Sequence, residues 1–195
     1  MPRADNLYDL PKGLPVPVDD GACDHLMGMM LPSLPRQSTA GGFVDLASRP
    51  GITVVYCYPR TGRPDQNPPP GWNDIPGARG CTPQSCAFRD HYQTLQGLEA
   101  RVFGLSTQDT DYQCEAVERL HLPFELLSDA DLACARALRL PTFEVESMTM
   151  IRRLTLIIVD GRIAKVFYPV FPPDKNAEEV VAWLAHNRRG VSHRY

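Results

Sequence analysis

Two cysteines carry the most pointed chemistry in this chain: Cys81 and Cys86, in the stretch Gly80-Cys81-Thr82-Pro83-Gln84-Ser85-Cys86. Pro83 suits an early helical position, where no backbone N–H is needed. Phe88, Tyr92, Leu95 and Leu98 then recur at the spacing of a single buried helical stripe. Cys81 is therefore expected at the N-terminal end of a helix, where unpaired N–H groups and the helix dipole favour an anion. A thiol placed there ionises more easily, and the thiolate is the nucleophilic form.

Local sequence leaves other readings open. A cysteine near a helix start is commonly a small buried hydrophobe. A C-x4-C pair could also supply two zinc ligands, but the spacing differs from a zinc knuckle and no C-x2-C or His-x3-His partner occurs elsewhere. Nor is it the C-x2-C of a thioredoxin-type disulfide exchanger. A non-catalytic redox sensor or binding module is the alternative function, and catalytic peroxide turnover would separate it from an enzyme.

The bulk numbers narrow the class. At 195 residues, 43% hydrophobic and with a net charge of −3, the chain reads as one soluble domain with a full core. Lys and Arg are scattered, which argues against a nucleic-acid surface. No stretch approaches the roughly 20 apolar residues of a membrane span. Met1-Pro2-Arg3-Ala4-Asp5 leads into no apolar run, so no signal peptide is expected. Six cysteines without regular spacing do not resemble a secreted disulfide framework. A cytoplasmic protein with one redox pair fits better.

The elements that must position the thiols follow from patterning. Residues 1–30, with prolines at 2, 11, 15 and 17, read as an extended arm lying over the domain. A short helical turn is expected near His25, itself read as a packing or surface residue. Residues 34–46 suggest a hairpin turning at Thr39-Ala40-Gly41-Gly42. Ile52 to Tyr58 is a continuous β-branched and aromatic run, the pattern of a strand buried on both faces. Sites form at the C-terminal ends of such strands. Residues 62–79 then hold five prolines and Trp72, a loop long enough to be functional. It is expected to cover the site as a lid with Trp72 as its anchor.

A second buried strand is expected over Arg101–Ser106, and a helix from Thr110 to about His121 with Val117, Leu120 and Cys114 inward. Thr110 or Asp111 should cap that helix, and Ser128 should cap another from Asp129 to about Leu138. Cys114 and Cys134 are read as structural. Ile151–Val159, the turn Asp160-Gly161 and Ile163–Phe167 form a hairpin that places Arg153 on the same face as Thr155 and Ile157, with Arg152 opposite. A last helix starts at Asp174 or Asn176, and residues 188–195 read as a polar tail. This order of elements predicts an α/β sandwich with helices on both faces of the sheet.

Tyr58-Pro59, the Gly80–Cys86 stretch and Phe88-Arg89-Asp90 together resemble the active-site segment of the bacterioferritin-comigratory (PrxQ) peroxiredoxins. Leu105-Ser106, Leu122-Pro123-Phe124, Leu127-Ser128-Asp129, Arg153-Leu154-Thr155-Leu156, Asp160-Gly161-Arg162-Ile163 and Val166-Phe167-Tyr168-Pro169-Val170 follow in order, so the resemblance spans residues 30–185. It implies a thioredoxin-like fold with the peroxiredoxin N-terminal hairpin, occupying residues 31–187 around the insertion. It implies a thiol peroxidase with Cys81 as peroxidatic cysteine, Cys86 as resolving cysteine and Arg153 as catalytic arginine. Hydroperoxides would be the substrates, and thioredoxin or glutaredoxin the reductant. No metal, flavin or nicotinamide is called for, and a monomer or weak homodimer is expected. The family's proline and threonine stand seven and three residues before the cysteine. Here those places hold Asp74 and Ala78. Pro59 and Thr61, on the far side of the insertion, are the candidates to supply the same groups.

Overall fold

The computed structural model describes residues 5–191, with side chains to residue 187. Its first strands are β1 (Arg36–Ser38) and β2 (Phe43–Val44), an antiparallel pair turning at residues 39–42. The central strands β3 (Ile52–Cys57), β4 (Ala100–Ser106) and β5 (Glu125–Ser128) run parallel to one another. A small separate hairpin, β6 (Thr142–Val145) with β7 (Met148–Ile151), precedes β8 (Leu154–Val159) and β9 (Arg162–Phe167). The main sheet has seven strands in the order β2-β1-β5-β4-β3-β8-β9 and is mixed, since β8 and β9 pair antiparallel.

Alternation along β3 explains why it sits at the centre. Val54, Tyr56 and Tyr58 point into one core, where they meet α1 (Cys81–Asp90), α2 (Tyr92–Gly97), α3 (Thr110–Leu120) and α5 (Asn176–Val191) through residues such as Phe88, Leu95, Ala116 and Leu184. Val55 and Cys57 point into the other, with Leu26, Leu127 and the short α4 (Ala133–Ala137). The result is an α/β sandwich with helices on both faces. Among the described residues, no helix is long and apolar enough to cross a membrane.

Several local expectations change in the structure. The reactive helix is interrupted at His91, whose ring nitrogen bonds the Ala87 carbonyl that also receives the His91 amide, at 2.9 and 3.0 Å. A side chain that competes for an i−4 carbonyl bends a helix at that point. The next helix is capped by Asp109, whose carboxylate accepts from Tyr112 N at 2.7 Å, one residue earlier than expected. That setting turns Gln113, Ala116 and Leu120 inward and leaves Cys114 exposed. α4 starts only at Ala133, with Leu132 in the left-handed region at its N-cap; the Asp129 carboxylate, not Ser128, accepts from Cys134 N and Ala135 N in its first turn. The expected strand from residue 151 breaks at 152–153, where Arg152 N donates to Pro141 O at 2.8 Å. The β6–β7 hairpin was not anticipated. α5 continues to Val191, into the expected tail, and the rest of that tail, like the first four residues of the arm, lies outside the described residues.

Gly104, in the middle of β4, shows how tightly the first core is closed. A Cβ there would stand 2.5 Å from Leu126 Cδ2 and 2.9 Å from the Tyr56 ring, so neither neighbour has room to yield. Gly104→Ala should cost about 1–3 kcal/mol, as overpacked cores do. Denaturant unfolding with an unchanged m-value is the measurement; a loss below the error of the midpoint would contradict it.

Candidate active site

The end of β3 carries Tyr58-Pro59-Arg60 to the start of α1. Gly80 is required there twice over. It holds φ at 107°, a left-handed value that glycine tolerates. A Cβ would also strike the Pro173 ring and come within 2.8 Å of Leu10 Cδ2. The Gly80 carbonyl accepts from Gln84 N at 3.0 Å and so opens the helix, which makes Cys81 its first residue.

Cys81 is 3% exposed. Its sulfur meets two donors: the backbone amide of Arg60 at 3.3 Å and Nη2 of Arg153 at 3.2 Å. As a neutral thiol it can itself donate to the Ala78 carbonyl at 3.7 Å. A sulfur at a helix start, faced by an amide and a guanidinium, is placed where negative charge is stabilised.

Arg153 reaches the sulfur because of sheet register. Cys57 pairs with Leu154, so Arg153 lies beside Tyr58 at the strand end. Its guanidinium is buried and shared among neutral acceptors: the carbonyls of Gly77, Ala78 and Arg79 at 3.2–3.3 Å, and Gln84 Oε1. Gln84 is oriented in turn by Asn176, whose Oδ1 accepts from Gln84 Nε2 at 3.0 Å and from the Thr155 hydroxyl at 2.6 Å. Arg152 goes elsewhere, with its guanidinium carbon 5.8 Å from the Phe143 ring centroid.

A cleft opens over the sulfur. Trp72, 6% exposed, packs on the β6–β7 hairpin beside Phe143 and Met150 and also lines that cleft, together with Pro68 and Pro69 of the insertion. The arm closes another side. Arg79, buried next to Cys81, forms an ion pair with Asp5 and donates to the carbonyls of Asn6 at 2.7 Å and Asp9 at 3.3 Å. Those bonds press Leu7 into the cleft wall.

Not every residue singled out by sequence reaches the sulfur. Pro59 is buried but faces a neighbouring cleft with Gln108 and Met148. Thr61 is buried with its amide and hydroxyl both on Gln108 Oε1, at 3.0 and 3.2 Å, while its carbonyl accepts from Tyr112. It anchors the loop that holds Arg60. In place of a threonine side chain at position 78, the Ala78 carbonyl approaches the sulfur. Cys86 lies in the second turn of α1, half-buried, and burial pushes its thiol above the ordinary range against the pull of Arg89.

Sequence reasoning missed Gln84, Arg79 and the Arg60 amide. Gln84 did leave a signal: it stands four residues before Phe88, a polar residue on an apolar stripe. The amide left none, because any residue carries one.

The Redoxin family model matches residues 27–181. Peroxiredoxin Bcp of Bacillus subtilis (strain 168) is 29% identical over 157 residues, covering 78% of this chain and 90% of that protein. The chloroplastic peroxiredoxin Q of Suaeda salsa is 28% identical over 158 residues, covering 80% of this chain; the chain spans 66% of that relative's length. Among solved structures, the peroxidoxin BcpB of Mycobacterium tuberculosis superposes with a TM-score of 0.67 at 23% identity, covering 82% of this chain and 96% of that one, which places the sandwich in the thioredoxin-like class. The chain belongs to the Redoxin family, and its resemblance to the bacterioferritin-comigratory and Q-type peroxiredoxins extends from motif to fold.

Proposed function

We propose that this protein is a thiol-dependent peroxidase acting on hydrogen peroxide and organic hydroperoxides, with Cys81 as nucleophile. The observation that carries the reading is the pair of donors on one buried sulfur, Arg60 N at 3.3 Å and Arg153 Nη2 at 3.2 Å.

The Cys81 thiolate attacks the terminal oxygen of the hydroperoxide. An S–O bond forms as the O–O bond breaks, and that electron pair leaves on the inner oxygen. The departing alkoxide or hydroxide takes up a proton and leaves as alcohol or water. The sulfur, oxidised by two electrons, remains as Cys–SOH. Charge builds on both oxygens during transfer, and fixed donors aimed at such charge account for much of enzymatic acceleration. Arg153 is held for that task by four protein acceptors besides the sulfur.

Cys86 then attacks the Cys81 sulfur, an S–S bond forms, and hydroxide leaves to become water. A thioredoxin- or glutaredoxin-like dithiol reduces the disulfide, in a reducing compartment such as the cytoplasm. Five residues apart on an intact helix, the two Cα atoms stand roughly 8.7 Å from each other. A disulfide tolerates at most about 7 Å with converging Cβ vectors. The first turns of α1 must therefore unwind, and unwinding also exposes Cys86, whose burial disfavours its thiolate.

Cys81→Ser should abolish peroxide consumption with the fold intact; substantial residual turnover would point to another thiol. Arg153→Ala should slow sulfenic acid formation by about 10²–10³, the usual cost of one lost charge-stabilising donor. Arg152→Ala, on the Phe143 ring, should leave that step unchanged, and equal losses in single-turnover oxidation would defeat the assignment.

Peptide mapping after one equivalent of peroxide should recover a Cys81–Cys86 link, with faster hydrogen exchange across residues 81–86. A dominant link from Cys81 to Cys114, Cys134 or a second chain would overturn the unwinding mechanism.

A further inference from the structure

Residues 5–10 of the arm precede the residues matched to the family, which begin at 27. Asn6 closes them into a single turn: its side-chain oxygen accepts from Tyr8 N at 3.0 Å and its amide donates to the Asp9 carboxylate at 2.7 Å. The peroxide chemistry does not use this turn, yet it grips both ends of the segment that carries the two thiols.

At the near end the grip is on Arg79 and Gly80, the two residues before Cys81. The Arg79 guanidinium, 5% exposed, pairs with Asp5 and donates to the Asn6 and Asp9 carbonyls. The Arg79 carbonyl is one of those that hold Arg153, at 3.2 Å. Leu10 lies over Gly80 with no room for a Cβ between them. Beneath it the Gly80 carbonyl opens α1 by accepting from Gln84 N at 3.0 Å. At the far end Tyr8 stands beside Arg119 and Arg89, the two cations that face Cys86.

Cys86 cannot reach the Cys81 sulfur until the first turns of α1 unwind. Whichever end moves, a contact of the arm is lost. Displacing residues 79–81 strips Arg79 and Gly80 from Asp5, Asn6, Asp9 and Leu10; displacing Cys86 with its turn pulls α1 away from Tyr8. Separating a buried guanidinium from its partners is strongly unfavourable. Docking of the arm and unwinding of the helix therefore oppose each other.

Resting on the peroxidase reading and its Cys81–Cys86 disulfide, we infer that residues 5–10 are a redox-gated strap: docked, they hold α1 wound and delay the disulfide, and the disulfide in turn releases them. Linkage makes the two effects reciprocal, because a strap that disfavours the unwound form is disfavoured by that form to the same degree. The chemistry is unchanged: the Cys86 thiolate still displaces hydroxide from Cys81–SOH.

The first test needs no variant. Hydrogen exchange across residues 5–10, and tryptic cleavage after Lys12, should be at least about fivefold faster in the disulfide form than in the reduced form, the lower end of typical coupling between sites. The second follows one equivalent of peroxide by rapid quench, alkylation and mass spectrometry. Asp5→Ala with Leu10→Ala should speed the conversion of sulfenic acid to disulfide by a similar factor, and Asp5→Glu, which keeps the ion pair, should retain the slower rate. The peroxide-dependent phase that comes first shows that each variant has folded. Equal protection of the arm in the two redox states, or a disulfide phase that the double substitution does not accelerate, overturns the strap while leaving the peroxidase intact. If one equivalent of peroxide yields no Cys81–Cys86 link, the mechanism beneath the strap fails and the strap fails with it.

Discussion

A guanidinium buried without a carboxylate is the constraint from which the rest of the site follows. Removing such a charge from water costs on the order of several kcal/mol, recovered only if every donor finds a partner. Arg153 meets that condition with three consecutive carbonyls, one amide oxygen and one sulfur. The carbonyls belong to residues 77–79, so the last turn of the proline-rich insertion is shaped by the arginine as much as by its prolines. Of the groups in contact with it, the Cys81 sulfur is the one able to carry negative charge. Position, charge and thiol are therefore one arrangement.

The parts of this arrangement that local sequence carries were legible. A β-branched run marked β3, the proline at a helix start and an i, i+4 stripe marked α1, and strand alternation separated Arg153 from Arg152. The alternation argument survived even though residues 152–153 lie outside regular strand, because β8 resumes in register with β3 at Leu154 and Cys57. The stripe argument was weaker at its end, where the His91 ring divides the helix.

What could not be read depends on chain folding back over long separations. The Arg60 amide has no side-chain signature. The β6–β7 hairpin is held by Trp72 from the insertion, some seventy positions earlier in the chain. Cys114 looked inward only because the helix cap was set one residue late; moving it to Asp109 rotates the buried face onto Gln113, whose amide donates to Ser106 and to the Leu127 carbonyl. Thr61 illustrates the same limit: its type fitted the site, but Gln108 captures it.

The segments that converge on Cys81 come from the arm at residues 5–10, the strand end at 58–60, the helix start at 80–84 and the register-bound arginine at 153. Synthesis proceeds from the N-terminus, so the thiol leaves the ribosome long before its cation does. β3 cannot pair with β8, nor Gln84 find Arg153, until more than three quarters of the chain has emerged. A nascent or truncated polypeptide that ends before residue 153 therefore holds the thiol without its cation, and the arranged site waits on the last quarter of the chain.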